Sequence, residues 1–303
     1  SKFLNDVGGG GCYNKFCGRY SLSASGSARS VSVRREKAMK KKNFNLIAGG
    51  AITIFFLLIA LLGQIWTPYE PTAMDSMAVN LAPCAAHPFG TDNFGRDILS
   101  RVMAGSGSTF FVAVSTVLIG GFFGTLIGAL TGYFGGWADN MIMRFNDILL
   151  SFPSILLALI FISLLGSGSY NIILALGILF IPSFARIVRS EVIRYRDLDF
   201  VKSARIMRAG HMRIIFAHIL PNAGGSILTA AAIGFNNAVL AEASMSYLGL
   251  GIQPPDPSLG RMLSEAQSYL SNAPWYAIAP GVTIILIILG FSMVSEGLRA
   301  LKE

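Results

Sequence analysis

The chain is 303 residues long, 53% hydrophobic and only 13% charged, with a mean hydropathy of +0.58. Soluble domains run near a quarter charged, so composition argues against a water-soluble enzyme, while the length holds five to seven spans at roughly 20 residues each. The net charge of +8 raises nucleic acid as a partner, but the positions of the charges argue against it below. Glycine, at 33 residues, and phenylalanine, at 21, suit close helix packing in lipid. Cys12, Cys17 and Cys84 are too few and too scattered for a disulfide framework.

Residues 1–43 are rich in Gly, Ser, Lys and Arg and show no sustained apolar period. They predict a disordered basic cytoplasmic tail, ending at Lys40, Lys41 and Lys42 beside anionic headgroups. No apolar core precedes the basic run, so a signal peptide is not indicated. Residues 44–303 read as one membrane domain. A first span falls at about 45–66, where 47–66 is free of charge. No charge lies between Arg101 and Asp139, which places a second at about 110–134. Ile148 to Ala185 is again uncharged but too long for one helix, and Gly166-Ser167-Gly168-Ser169 interrupts it. A tight hairpin of spans at about 146–166 and 171–190 is predicted. Two more follow at about 222–246 and 276–296. The expected fold is an all-α membrane protein of six transmembrane helices.

With the N-terminus inside, 21 of the 24 basic residues lie on the cytoplasmic side and only Arg96, Arg101 and Arg261 lie outside. The positive-inside rule therefore predicts an N-in, C-in topology. Membrane insertion accounts for the basic charge, with no nucleic acid required. The outer segment 67–109 is too polar to cross. Pro68, Pro71, Pro83 and Pro88 suggest an extended run, then a helix capped near Asp92 or Asn93, on which Asp97 and Arg101 pair four residues apart.

The inner segment 186–221 is too long for a simple turn. Phe200, Val201, Ala204 and Met207 recur at helical spacing, while Lys202, Arg205 and Arg208 face other directions. Gly210 permits a bend, and Pro221 suits the first turn of the fifth span. The pattern predicts a short amphipathic helix on the cytoplasmic surface between spans four and five. By pattern alone, an interfacial helix without a partner explains it as well. Asp139, Arg144 and Asp147 flank the third span's inner start, and pairing of Arg144 with a carboxylate is the simplest arrangement. Glu242 is the sole carboxylate of the fifth span, where an ionisable group is costly unless it faces water or a partner.

Phosphate-binding G-x-x-x-x-G-K-[ST] is missing, since Gly105-Ser106-Gly107-Ser108 lacks the lysine. There is no H-E-x-x-H, no nucleophile elbow and no paired-cysteine metal site. The chain is expected to bind no metal or cofactor and to hydrolyse no ATP by itself. A self-sufficient secondary transporter or channel would need inverted repeats or several intramembrane ionisable groups, and an intramembrane enzyme would need a catalytic pair. Glu242 stands nearly alone.

The inner segment resembles the cytoplasmic loop of permease subunits of bacterial ATP-binding-cassette importers. Of that loop's general signature, Ala204, Leu220 and Pro221 match. Arg213-Ile214-Ile215-Phe216, His218 and Leu220-Pro221-Asn222 are similar to its peptide and nickel branch. His87-Pro88-Phe89-Gly90-Thr91-Asp92, Gly95-Arg96-Asp97 and Leu99-Ser100-Arg101 resemble the outer segment of that branch's C-type subunit. Ala241-Glu242-Ala243-Ser244 with Leu248-Gly249-Leu250-Gly251 and Gln253-Pro254-Pro255 resembles the exit from its fifth span. Gly132-Tyr133, Gly135-Gly136, Asp139 and Arg144 resemble its inner loop.

The resemblance spans about 45–303 and implies a bacterial inner-membrane permease carrying di- or oligopeptides, nickel or another small solute. It implies a homologous second permease, an extracytoplasmic binding protein and two ATPase subunits that hold ATP and magnesium. It makes the surface helix a coupling helix, with Phe200, Val201, Ala204 and Met207 as apolar knobs and Lys202, Arg205 and Arg208 as polar contacts to an ATPase. Lys202 stands where the family usually has Glu, and Arg208 where it has the turn-forming Gly, a role Gly210 is expected to take. Asp92, Arg96, Asp97 and Arg101 would contact the binding protein or gate the outer mouth, or else belong to a loop folded onto neighbouring helices. Glu242 would line the path for a cationic peptide terminus or a metal ion, or make a structural hydrogen bond.

Overall fold

The structure, a computed structural model, describes residues 45–300, with the backbone alone at Ala300. The predicted tail at 1–43 lies outside the described residues. Regular structure among those residues is helical, apart from one isolated antiparallel bridge between Thr91 and Asp97. In chain order the helices are α1 (Asn45–Ile65), α2 (Ile98–Phe134), α3 (Gly136–Ser151), α4 (Ser154–Leu165), α5 (Ser169–Arg196) and α6 (Asp199–Ile206). Then α7 (His211–Arg213) runs through a π-helical stretch (Ile214–Ile219) into α8 (Leu220–Tyr247), followed by α9 (Leu259–Ala266) and α10 (Pro274–Ala300).

Five of these are long and apolar enough to cross a membrane: α1, α2, α5, the continuous α7–α8 helix and α10. A sixth span exists only if α3 and α4 together count as one, and they meet at 93°. The straight span expected at about 146–166 is therefore broken. Phe152 is extended (φ −84°, ψ 144°) because it precedes Pro153, whose ring disfavours the helical conformation of the residue before it and which brings no N–H of its own.

The outer-segment helix expected from Asp92 or Asn93 and the span expected at about 110–134 are one helix, α2, which starts later than the first expectation and is capped by Asp97. The Asp97 carboxylate accepts from Ser100 N at 2.8 Å, meeting one of the otherwise orphaned donors of a helix start. Along α2 every fourth residue from Gly120 to Gly132 is glycine, and this stripe lies directly on α5. A Cβ at Gly128 would sit 2.4 Å from the Ala185 carbonyl oxygen, and one at Gly124 2.5 Å from Phe184 Cβ. Without side chains in the way, the two backbones touch, which is how helices gain packing energy where lipid offers no hydrophobic drive.

The two ends of the bundle are built differently. One, here the cap end, carries residues 66–97 and α9, fastened on a core that includes Ile98, Val102, Leu259, Met262 and Tyr276. The other, the lever end, carries α6, held by a core of Ala129, Tyr133, Val188, Val192, Val201, Ala204, Ile214, Ile215 and Ile219.

Candidate functional site

α6 is a two-turn helix with apolar residues on two stripes. Val201 (0% exposed) and Ala204 (2%) point into the bundle, where they meet Val188 and Val192 of α5 and the Ile214–Ile219 stretch. This corrects the expectation of four partner-facing knobs. Val201 and Ala204 are covered by the chain itself and act as its anchor. The outward apolar surface consists of Phe200, Ile206 (83% exposed) and Met207 (76%). Ile206 was missed because, in so short a helix, nothing in the pattern says which stripe is inward. Lys202, Arg205 and Arg208 are exposed. Lys202 pairs with Asp199 at 3.2 Å, and the Arg205 guanidinium lies 5.3 Å over the Tyr133 ring.

The turn after α6 is made by Arg208 and not, as expected, by Gly210. Arg208 takes a left-handed conformation (φ +56°), while Gly210 is extended (φ −63°, ψ 149°) and precedes α7. Ala209 N donates to Ala204 O and Arg208 N to Arg205 O, both at 3.0 Å. These two bonds form the Schellman ending, in which glycine is the usual left-handed residue. An L-residue there costs about 1–2 kcal/mol, so the loop bonds hold Arg208 in a strained position.

Further contacts tie this end together. Tyr133 Oη and His211 Nδ1 are 2.9 Å apart, joining the ends of α2 and α7, and Arg196 Nη1 donates to Gly132 O at 3.0 Å. Arg189 grips Asp139 with two bonds of 2.6 and 2.7 Å, and Arg186 pairs with Asp147. Arginines of α5 thus take the carboxylates expected to pair with Arg144.

At the cap end, the predicted set Asp92, Arg96, Asp97 and Arg101 is buried. Asp92 accepts from Phe94 N (2.8 Å), Arg96 N (2.9 Å), Arg96 Nε (2.6 Å) and Arg101 Nη1. Glu265 of α9 accepts from Arg96 (3.1 Å), Arg101 (3.2 Å), Arg261 (3.2 Å) and Tyr276 Oη (2.8 Å). Burial pushes the Glu265 carboxyl up, but Arg101, the Tyr276 hydroxyl, Arg96 and Arg261 outweigh it and hold the group below its ordinary range. The expected Asp97–Arg101 pair is not formed. Asp97 caps α2 and meets His87 Nδ1 at 2.9 Å, and Arg101 turns to Asp92 and Glu265. Arg96 and Arg101, held by Asp92, fasten the segment to Glu265 of α9 and through it to Tyr276 of α10, while Asp97 ties His87 to the start of α2, an arrangement that fits the folded-loop alternative.

Glu242 is 0% exposed. Its carboxylate accepts from Thr109 Oγ1 (2.8 Å), Ser246 Oγ (2.7 Å) and Ser258 Oγ (3.2 Å). Ser258 also caps α9, so Glu242 locks α2, α8 and the start of α9 together. Of the two roles left open for Glu242, this geometry is that of a structural hydrogen bond. No group of three or more His, Cys, Asp or Glu among the described residues is arranged to hold a metal ion.

Residues 124–301 match the family described as binding-protein-dependent transport system inner membrane component. The chain is 41% identical to a protein of Alkalihalophilus pseudofirmus named dipeptide transport system permease protein DppC, over 86% of this chain and 85% of that one. It is 40% identical to one of Pectobacterium atrosepticum named glutathione transport system permease protein GsiD, over 84% of each. Its fold is similar to a chain of the inward-facing MetNI methionine ABC transporter, with a TM-score of 0.50 and 22% identity over 64% of this chain and 94% of that chain. The all-helical bundle, the lever end and these likenesses agree, and the chain belongs to the inner-membrane components of binding-protein-dependent transport systems.

Proposed function

We propose that the chain is one of two permease subunits of an ATP-driven importer of di- or oligopeptides. The observation that carries this is the construction of α6, pinned inward by Val201 and Ala204 while Phe200, Ile206 and Met207 stand out beyond the bundle. An interfacial helix needs only to float its apolar face in lipid. A helix keyed into α2, α5 and α8 on one side and apolar on the other is suited to transmit force from a docked partner. Two relatives named for dipeptide and glutathione transport support small peptides as cargo.

In this reading the lever end is cytoplasmic, as the concentration of Lys and Arg there requires, and the topology is N-in, C-in, with α3 and α4 as one broken crossing. The partners are a homologous permease, two ATPase subunits that bind ATP and magnesium, and an extracytoplasmic binding protein. ATPase closure moves α6, and because Val201 and Ala204 are enclosed in the lever-end core the movement passes to the spans, opening the mouth between the two permeases outward. The test is uptake of a labelled dipeptide into proteoliposomes containing all partners. Uptake that needs ATP and stops when the ATPases are omitted supports the assignment. Uphill uptake by this chain alone, driven by an ion gradient, overturns it.

A further inference from the structure

Asn237 sits on α8 ten residues before Tyr247, the helix's last residue, so at 1.5 Å per residue it lies ~15 Å from that end, near the middle of a ~30 Å hydrocarbon layer. Its side chain is exposed, and no described residue hydrogen-bonds it. Its neighbour Asn236 adds an enclosed Oδ1 that likewise meets no donor. A free amide facing lipid at that depth is costly, and intramembrane polar groups face water, a substrate or a partner helix. The surrounding face argues for the first two. Ile233 and Leu240, one turn either side, are exposed and bulky, whereas close helix crossings use small residues, and the glycine stripe of α2 is already occupied by α5. Ser244 continues the same face, its hydroxyl donating to Leu240 O, and Tyr247 at the end of α8 reaches Gln267 at 3.2 Å. The track from Gln267 and Tyr247 past Ser244 to Asn237 carries no charge.

We infer that Asn237 lines the translocation path and hydrogen-bonds the passing peptide backbone, an assignment that rests on the peptide-importer reading. An amide offers both donor and acceptor, matching a peptide group, and its apolar neighbours accommodate varied side chains. A neutral track does not select cargo by charge. The position also differs from that of Glu242, five residues on, which is sealed inside the chain.

The test uses the complete complex with Cys12, Cys17 and Cys84 replaced by Ser, into which Asn237→Cys is introduced. Leu118→Cys, on an exposed apolar position of α2, serves as the comparison. A membrane-impermeant thiosulfonate reagent is expected to modify Asn237→Cys faster than Leu118→Cys, with the rate changing when ATP is trapped on the ATPases. Asn237→Leu should lower the maximal uptake rate roughly fivefold, the loss of one hydrogen bond, with peptide affinity of the binding protein unchanged, and Asn237→Gln should restore most of it. Two results overturn the inference while leaving the permease assignment standing. One is a transporting parent in which Asn237→Cys resists the reagent in every nucleotide state. The other is an Asn237→Leu complex that loses its second permease on co-purification, which places Asn237 at the subunit interface. A cysteine-free parent that assembles but shows no ATP-dependent uptake overturns the assignment itself, and the inference with it.

Discussion

Val201 and Ile206 are five residues apart on a helix of eight, and the structure gives them opposite duties. Val201 is fully enclosed by the lever-end core. Val201→Ala removes two methylene equivalents at about 0.8 kcal/mol each, and the residual cavity adds to this, so a loss of about 1.5–3 kcal/mol in stability is expected. Ile206, 83% exposed, has almost nothing to lose within the chain, and surface truncations stay within about 0.5 kcal/mol. Its methyl groups are available to a partner, where burial of such a side chain contributes about 2 kcal/mol. Ile206→Ala should therefore weaken ATPase binding by about 30-fold, at 1.4 kcal/mol per tenfold. Thermal unfolding of the purified permease in detergent reads the first effect, and titration with the isolated ATPase reads the second. The reasoning is refuted if Ile206→Ala lowers the melting temperature as far as Val201→Ala does, or if it leaves ATPase affinity unchanged while Val201→Ala abolishes it without a stability loss.

Other consequences are equally specific. Arg208→Gly should stabilise the turn by up to about 1 kcal/mol, since glycine accepts the left-handed conformation that an L-residue resists, and a higher melting temperature with uptake retained is the readout. Gly128→Leu drives a side chain into the Ala185 carbonyl and should cost about 3 kcal/mol or more, seen as loss of folded protein on size-exclusion chromatography. Glu242→Gln keeps the shape but cannot accept from three hydroxyls as a carboxylate does; it should lower stability by about 1–3 kcal/mol while uptake of cationic and neutral dipeptides falls equally, and a selective loss of cationic cargo would restore a path role. Because the Glu265 carboxyl is held below its ordinary range, its contribution is complete above the ordinary carboxylate range and is lost as pH falls through the lowered value. Glu265→Gln should flatten that acid limb of the melting-temperature profile.

The spans were legible wherever charge punctuates the chain, as at α1 and α10. Proline was less readable. Pro182 and Pro280 lie inside α5 and α10 without ending them, whereas Pro153 separates α3 from α4 at a right angle. A proline inside a packed helix is tolerated when neighbours satisfy the carbonyl it frees, and those neighbours are not visible in the run itself. The glycines of α2 were visible at spacing four, yet only α5 explains them, because a glycine stripe announces a close contact without naming its partner. Arg208 is the converse case. The family pattern places a turn-forming glycine at this position, and with Arg there the sequence points to Gly210 for the bend. Two backbone hydrogen bonds at the end of α6 outweigh that local preference.

The charged residues were the hardest to place, and for one physical reason. Arg, Asp and Glu are almost never fully buried unless paired, so an unpaired sequence view puts them at the surface. Asp92 and Arg96 are four apart and visible as a pair, but the acid that completes the cluster, Glu265, lies 169 residues beyond Arg96. Glu242 follows the same logic. Of its three donors only Ser246, one turn away on α8, was within local reach, while Thr109 stands 133 residues earlier and Ser258 sits in the following loop. A lone intramembrane carboxylate is a sound pointer to function only when its donors are missing. Here three hydroxyls supply them, whereas the neutral amide of Asn237, exposed at mid-membrane depth without a hydrogen bond from a described residue, is a polar group that a search for charge passes over.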